Sequence, residues 1–284
     1  MINAFTVTPF NTFRDAFGQM RDALLDTDPT EVGEWQSQKS EVKAHELLHV
    51  VMDMAVPDTA EELGEMTGAR LPWAEDHFQE RVGGEPLNPS PSEAWWPFRQ
   101  KKDGDTNTDH KSEGTAFSHT YPERMWPKYK MPLNVPQEKR QGIRFDYGDL
   151  ADVVNQLVKS PYTRQAYLPL WFPEDTGAVH GKRVPCTLGY HFIIREGRLD
   201  VSYFMRSTDL MRHFQDDIYM AGRLMQWMVE QILSQTIVVG YNFNDPQPDP
   251  LVPGKLIFHT ANLHIFEPDV AILEYWRSIG KLWY

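Results

Sequence analysis

Residues 183–209, RVPCTLGYHFIIREGRLDVSYFMRSTD, decide how the chain is read. Two apolar-rich runs, Val184 to Arg195 and Leu199 to Met205, flank Glu196-Gly197-Arg198. A short turn containing glycine between two such runs is a hairpin signal, because glycine supplies the positive φ that a tight connection needs. The segment therefore predicts two antiparallel strands. It also carries the only cysteine, Cys186, at the head of one strand, and Arg206-Ser207-Thr208-Asp209 at the tail of the other.

Working outward, Phe214 to Ser234 has the period of a long helix, with Ile218, Ala221, Leu224, Met225 and Met228 on its buried face. Thr236 to Phe243 and Lys255 to Phe266 read as strands around the Pro/Asp loop Asn244 to Gly254, and Pro268 to Ile279 as a closing helix. Upstream, a helix over Asp149 to Lys159 precedes an apolar strand over Ala166 to Phe172. Gly83 to Gly114 is rich in Pro, Gly and polar residues and reads as a long surface insertion, extending to about residue 118. Its aromatic triplet Trp95-Trp96-Phe98 predicts that part of it folds back onto the body or onto a partner chain. A helix is expected from about Ser40 to Met54, with Val42, Leu47, Leu48 and Val51 inward, and another starting at Pro57-Asp58-Thr59. The opening helix, Pro9 to Leu25, carries a stripe of Phe13, Phe17, Met20 and Leu24. Helices and strands without strict βαβ alternation indicate an α+β fold, expected to be one unit over residues 1–284.

Composition narrows the function. With 284 residues, 41% hydrophobic and 24% charged, the chain can bury a sizeable core. Its net charge of −12 argues against a protein that lives on nucleic-acid backbones, and a small partner is expected. The longest apolar run, Ala166 to Phe172, is far short of the roughly 20 residues of a membrane helix, so no membrane span is expected. One cysteine excludes an internal disulfide framework, and MINAFTVTPF lacks the pattern of a secretory signal. The expected compartment is the cytoplasm.

Two constellations stand out. His45-Glu46-Leu47-Leu48-His49 is an HExxH pattern, which on a helix would place two imidazoles on one face for zinc beside a glutamate base. No third ligand motif follows it, and a buried Glu46 needs a partner or a job. The other is Cys186, a lone cysteine that is most often inert core, with Arg206, Ser207 and Asp209 about twenty residues later at a strand end: an arginine and a hydroxyl suited to bidentate phosphate capture followed by a carboxylate, or else an exposed strand end decorated with solvated charges.

Pro185-Cys186, the Arg195 to Asp200 hairpin and Arg206-Ser207-Thr208-Asp209, in this order and spacing, resemble the core signature of thymidylate synthases and the related pyrimidine nucleotide hydroxymethylases. His45 to Leu48 resembles the family's HELL helix, and Tyr121 with Trp126 its tyrosine-tryptophan segment. Pro161-Tyr162-Thr163-Arg164 resembles the phosphate loop given by the neighbouring subunit, and Leu263 to Phe266 the sugar-contacting strand. The resemblance implies a mixed sheet with flanking helices, packed sheet to sheet in a homodimer. It implies that Cys186 adds to C6 of a pyrimidine nucleoside monophosphate while 5,10-methylenetetrahydrofolate gives a one-carbon unit to C5. Arg206, Ser207 and the partner's Arg164 would hold the phosphate and His264 the sugar. Asp209 and Trp126 would meet the folate, while Glu46 and Tyr121 would serve the chemistry; no metal is implied.

Eleven residues past Arg206, where thymidylate synthases carry asparagine, stands Asp217. A carboxylate only accepts, so it suits the 4-amino group and protonated N3 of cytosine and repels the O4 of uracil. Asp217, and Thr187 after the cysteine, resemble the phage deoxycytidylate hydroxymethylases, in which water quenches the exocyclic methylene. The expected activity is hydroxymethylation of dCMP, or of CMP, in a bacterial or phage-infected cytoplasm. The alternatives are reductive methylation of dUMP and a zinc hydrolase at His45, Glu46 and His49. Gln165, where a second phosphate arginine is usual, and Phe266, where a tyrosine is usual, depart from the pattern.

Overall fold

The computed structural model describes residues 13–31, 43–95, 119–127, 148–176, 184–239 and 250–283. The hairpin is formed as read: β4 (Thr187–Arg195) and β5 (Arg198–Met205) pair antiparallel, turning through Glu196 and Gly197 at φ 50° and 71°. The sheet extends on both sides of it. β3 (Tyr167–Pro169) lies beyond β4, and β7 (Val252–Phe266) runs parallel beside β5. β2 (Lys43–Ala55) lies antiparallel along β7, β1 (Thr30–Glu31) is at the far edge, and β6 (Thr208–Asp209) also pairs with β7. The strand order is β1-β2-β7-β5-β4-β3. Parallel and antiparallel pairs in one sheet, with helices packed on it, make the mixed α+β architecture expected.

Residues 40–54, read as a helix, are strand over the part described. The buried residues Val50, Met52, Met54 and Val56 alternate with less buried ones, which is the period of a strand. Pairing along β7 from Ala44 opposite Phe266 to Ala55 opposite Lys255 stabilises that conformation over the local helical pattern. A second correction concerns 236–243. Residues up to Val239 continue the long helix α6 (Phe214–Val239), because adding residues to a formed helix costs little and outweighs the local β-preference of Thr-Ile-Val-Val. The strand expected over 166–172 is only the three residues of β3.

The other helices are α1 (Phe13–Leu25), α2 (Ala60–Thr67), α3 (Trp73–Val82), α4 (Tyr121–Met125), α5 (Leu150–Lys159) and α7 (Glu267–Ser278). Phe13, Phe17, Met20 and Leu24 are the buried stripe of α1, as read. α2 is capped by Thr59 and α5 by Asp149, whose side chains accept backbone N–H bonds from Glu62 and Asp152. Among the described residues no helix is long and apolar enough to cross a membrane.

Only the start of the expected insertion is described. It folds onto α3: Ser90 and Ser92 are buried and both donate to Glu80, while His77 Nδ1 lies 2.6 Å from Ser92 Oγ. Residues 96–118, including Trp96 and Phe98, lie outside the described residues.

Candidate active site

The sheet fixes where the thiol sits. Cys186 stands just before β4, and its carbonyl accepts from the backbone N–H of Arg206, just after β5, at 2.8 Å. The Arg206 guanidinium turns back onto the same segment. Nε donates to Pro185 O at 2.9 Å, Nη2 donates to Val184 O at 3.2 Å, and Nη2 lies 3.6 Å from Cys186 Sγ. A cationic donor at this range favours the thiolate over the thiol. Arg206 is thus partly engaged with its own hairpin rather than presented as a wholly open fork.

A second group lies along β7. His264 Nδ1 is 3.0 Å from Asn262 Oδ1 and 3.2 Å from Ser207 Oγ, and Asn262 Nδ2 donates to Glu46 Oε1 at 2.6 Å. Burial, with Arg206 and Arg212 nearby, pushes the His264 imidazole down to about 4, so it is neutral at physiological pH. A neutral imidazole can both donate and accept, which suits a sugar hydroxyl. The contacts of Glu46 place it with this group. Its carboxylate acts on His264 and Ser207 through Asn262, a residue that the sequence reading did not single out.

A third group is built around Thr187, the residue after the cysteine, and Thr208. Tyr121 opens α4, held there by the capping box of Thr120 with Glu123. Its hydroxyl accepts from both the backbone N–H and the hydroxyl of Thr187, each at 3.4 Å. Burial pushes the Tyr121 phenol up, and the charges on Cys186 and Asp217 push the same way. Asp217, in the first turn of α6, accepts from Thr208 Oγ1 at 3.1 Å. Burial raises its carboxyl to about 7, with Asp216 adding to the rise and Arg81 and Arg70 opposing it. A carboxyl that exchanges its proton near neutrality is suited to acid–base work.

Asp209 and Trp126 are tied into the frame of the site. Asp209 Oδ1 accepts from the backbone N–H groups of Met211 and Arg212, both at 2.9 Å, building the turn into α6. Its Oδ2 is buried without a hydrogen-bond partner, and burial raises the carboxyl to about 6. Trp126 Nε1 donates to Arg81 O at 2.8 Å. Arg164 stands apart from these groups: it is exposed near the β3 edge, where its carbonyl meets His191 Nε2 at 3.0 Å.

The HExxH pattern loses its geometry on a strand. Four residues along a strand span about 13 Å, against about 6 Å on a helix, too far for two ligands of one zinc. His45 is buried on Thr27, its Nδ1 2.7 Å from Thr27 O, whereas His49 is exposed at φ 56°. Among the described residues no group of three His, Cys, Asp or Glu could hold a metal ion.

The sequence reading also missed Arg81, whose guanidinium carbon lies 4.2 Å over the Tyr121 ring. Its signal was available: Trp73, Ala74, Phe78 and Val82 mark a helix face on which Arg81 is a charged interruption.

The thymidylate synthase family model matches residues 92–244, more than half of the chain. The thymidylate synthase of Enterobacteria phage T4 is 26% identical over 124 residues, which are 43% of this chain and 37% of the phage protein. A putative thymidylate synthase of Methanosarcina barkeri is 22% identical over 181 residues, 60% of this chain and 72% of that protein. One of Methanosarcina acetivorans is 21% identical over 178 residues, 59% and 71% of the two chains.

Proposed function

Since the chain belongs to the thymidylate synthase family, whose members transfer one-carbon units taken from methylenetetrahydrofolate, we propose that it hydroxymethylates C5 of a cytidylate, dCMP or CMP. The observation that carries this reading is Asp217. Standing at the start of α6 and bonded to Thr208, it would, once ionised, accept two hydrogens from a base edge and donate none. The 4-amino group and protonated N3 of cytosine match that demand, whereas the O4 of uracil would face a second acceptor.

In this reading the Cys186 thiolate adds to C6, and Arg206 holds the sulfur ionised until it does. Ser207 and Arg206 take the phosphate, and neutral His264 takes the sugar, oriented through Asn262 by Glu46. Bound methylenetetrahydrofolate supplies a carbon at the oxidation level of formaldehyde, and Asp209 Oδ2, which makes no hydrogen bond and lies 3.7 Å from Arg212 Nε, is an acceptor suited to its N–H-bearing ring. Tyr121 and Asp217 move protons as C5 loses its hydrogen. Water then adds to the exocyclic methylene, and Cys186 leaves as thiolate.

The homodimer belongs to the same proposal. One face of the sheet is buried in the core, while Val51, Ile193, Phe204, Ile257 and His259 on the other are only half-buried. A second copy on that face would cover them, and Arg164 would then reach the partner's phosphate.

A second reading has an observation of its own. A carboxyl raised to about 7 is half protonated near neutrality, and its acid form can donate to the O4 of uracil, as reductive methylation of dUMP requires. Tritium release from 5-tritiated dCMP, CMP and dUMP, with dihydrofolate followed by absorbance, separates the two. Release from a cytidylate without dihydrofolate is expected, with loss of release in Cys186→Ser and a turn toward dUMP in Asp217→Asn. Release from dUMP alone, with dihydrofolate, would overturn the proposal.

A further inference from the structure

A neutral imidazole has two tautomers, and which one a histidine adopts is set by what its nitrogens meet. His264 is neutral at physiological pH, and both hydrogen-bond contacts of its ring among the described residues are at Nδ1: Asn262 Oδ1 at 3.0 Å and Ser207 Oγ at 3.2 Å. A hydroxyl can serve either tautomer, so the choice falls to Asn262. The sheet brings a further group to bear on it. Glu46 of β2 stands opposite His264 of β7, Leu48 stands opposite Asn262, and β6, which begins directly after Ser207, pairs with β7 as well. Glu46 Oε1 lies 2.6 Å from Asn262 Nδ2. A carboxylate only accepts, so it draws the amide nitrogen to itself and leaves the amide oxygen, which also only accepts, facing His264. The flipped amide would set two acceptors against each other across that short contact. Nδ1 must therefore carry the ring hydrogen, and Nε2 presents a lone pair.

We infer that Asn262 is a positioning residue which, aligned by Glu46, holds His264 as its Nδ1–H tautomer, so that, resting on the cytidylate reading, the site takes the nucleotide sugar through a hydroxyl that donates to Nε2. The polarity of two contacts is fixed in this way. The only free hydroxyl on the sugar of dCMP is the 3′-OH, and it must give its hydrogen to the ring, so the site favours a hydroxyl over any group there that only accepts. Ser207 keeps its own hydrogen, loosely shared with Asn262 Oδ1 at 3.5 Å, because Nδ1 has no lone pair to receive it. That hydroxyl is then left to donate to the phosphate. The other tautomer would reverse both: Nδ1 would take the Ser207 hydrogen, and Nε2 would meet the sugar as a donor.

The test uses the full chain labelled with ¹⁵N at histidine, at neutral pH and without ligand. Proton–nitrogen correlations within the ring separate a protonated nitrogen from a bare one, and the His264 pattern is the one missing in His264→Gln. Wild type should show Nδ1 protonated and Nε2 bare. Asn262→Leu removes the acceptor at similar volume, and His264 should pass to the Nε2–H form that a free imidazole prefers. The double variant Glu46→Gln with Asn262→Asp exchanges amide and carboxylate between the two positions. Its amide donates to its carboxylate, whose other oxygen still accepts from Nδ1, so the Nδ1–H form should be kept. Asn262→Leu that retains Nδ1–H would overturn the inference, and so would a wild type in the Nε2–H form, which decides the matter even if Asn262→Leu does not fold. In turnover, kcat/KM for dCMP should exceed that for its 3′-fluoro analogue, which cannot donate, by about tenfold or more in wild type, narrowing to about threefold or less in Asn262→Leu. The spectra need no turnover. A wild type that acts on no cytidylate would defeat the proposed function, whereas the wrong tautomer in an active enzyme would defeat this inference alone.

Discussion

The pair that fastens the Tyr121 helix to the sheet is the sharpest test of the packing described here. Arg124 and Asp175 are both buried, at 6% exposure. The guanidinium grips the carboxylate with two nitrogens, Nη2 to Oδ1 at 2.8 Å and Nη1 to Oδ2, and Nη1 also donates to Leu170 O at 3.0 Å. Asp175 Oδ2 accepts from the Phe172 backbone N–H at 2.8 Å, and Arg124 lies 4.9 Å over the Phe172 ring. The arginine comes from α4 and the aspartate from the segment after β3, so the pair joins two parts of the chain 51 residues apart. Asp175→Ala leaves a buried guanidinium without its counter-ion and strands the Phe172 N–H, a change expected to cost about 3–5 kcal/mol. At about 2–4 °C per kcal/mol for a chain approaching this size, the melting temperature falls by roughly 6–20 °C. Arg124→Met combined with Asp175→Leu removes both charges and should recover most of the loss, because an apolar pair of similar volume avoids desolvating either ion. Thermal and urea unfolding of the two singles and the double read this directly. Tritium release should fall in Asp175→Ala and return in the double, since α4 also carries Tyr121. A single-variant loss below about 1 kcal/mol, the worth of an exposed pair, would refute the burial argument.

Two further outcomes follow from other contacts. Glu46→Gln keeps an acceptor for Asn262 at the 2.6 Å contact, so the nucleotide KM should rise a few-fold with kcat little changed; a kcat drop of about a hundredfold or more at constant KM would instead make Glu46 the general acid or base. Gly254→Ala would drive a Cβ into Asp200 Oδ1 and to 3.0 Å from Leu199 O, between β7 and β5, and should cost about 1–3 kcal/mol in urea unfolding; an unchanged midpoint would show that the strands part freely.

How far each element could be read depended on where its determinants lie in the chain. The β4–β5 hairpin was legible because turn and alternation are local: Glu196 and Gly197 adopt the positive φ that their turn requires. The α1 stripe was legible for the same reason, its four apolar residues being the ones buried. The sequence HELLHVVMDMA was not, because its conformation is decided by β7, more than 200 residues later. Locally its apolar residues satisfy a helix nearly as well as a strand, and only the pairing of Leu47 with Leu263 and Met52 with Phe258 separates the two. That one misreading underlies the zinc alternative. On a helix, His45 and His49 share a face and Glu46 stands beside them; on β2, His45 turns to Thr27 and Glu46 to Asn262. Cys186, Arg206 and Asp217 stand out in the sequence because each follows a local landmark: the start of β4, the end of β5 and the start of α6. Arg81 has no such landmark for its contact with Tyr121, which joins residues 40 positions apart across an insertion with no periodicity to follow. A site residue is legible in one sequence when its own segment announces it: Arg81 is marked only as a charged interruption of an apolar helix face, and Asn262 only by what it touches.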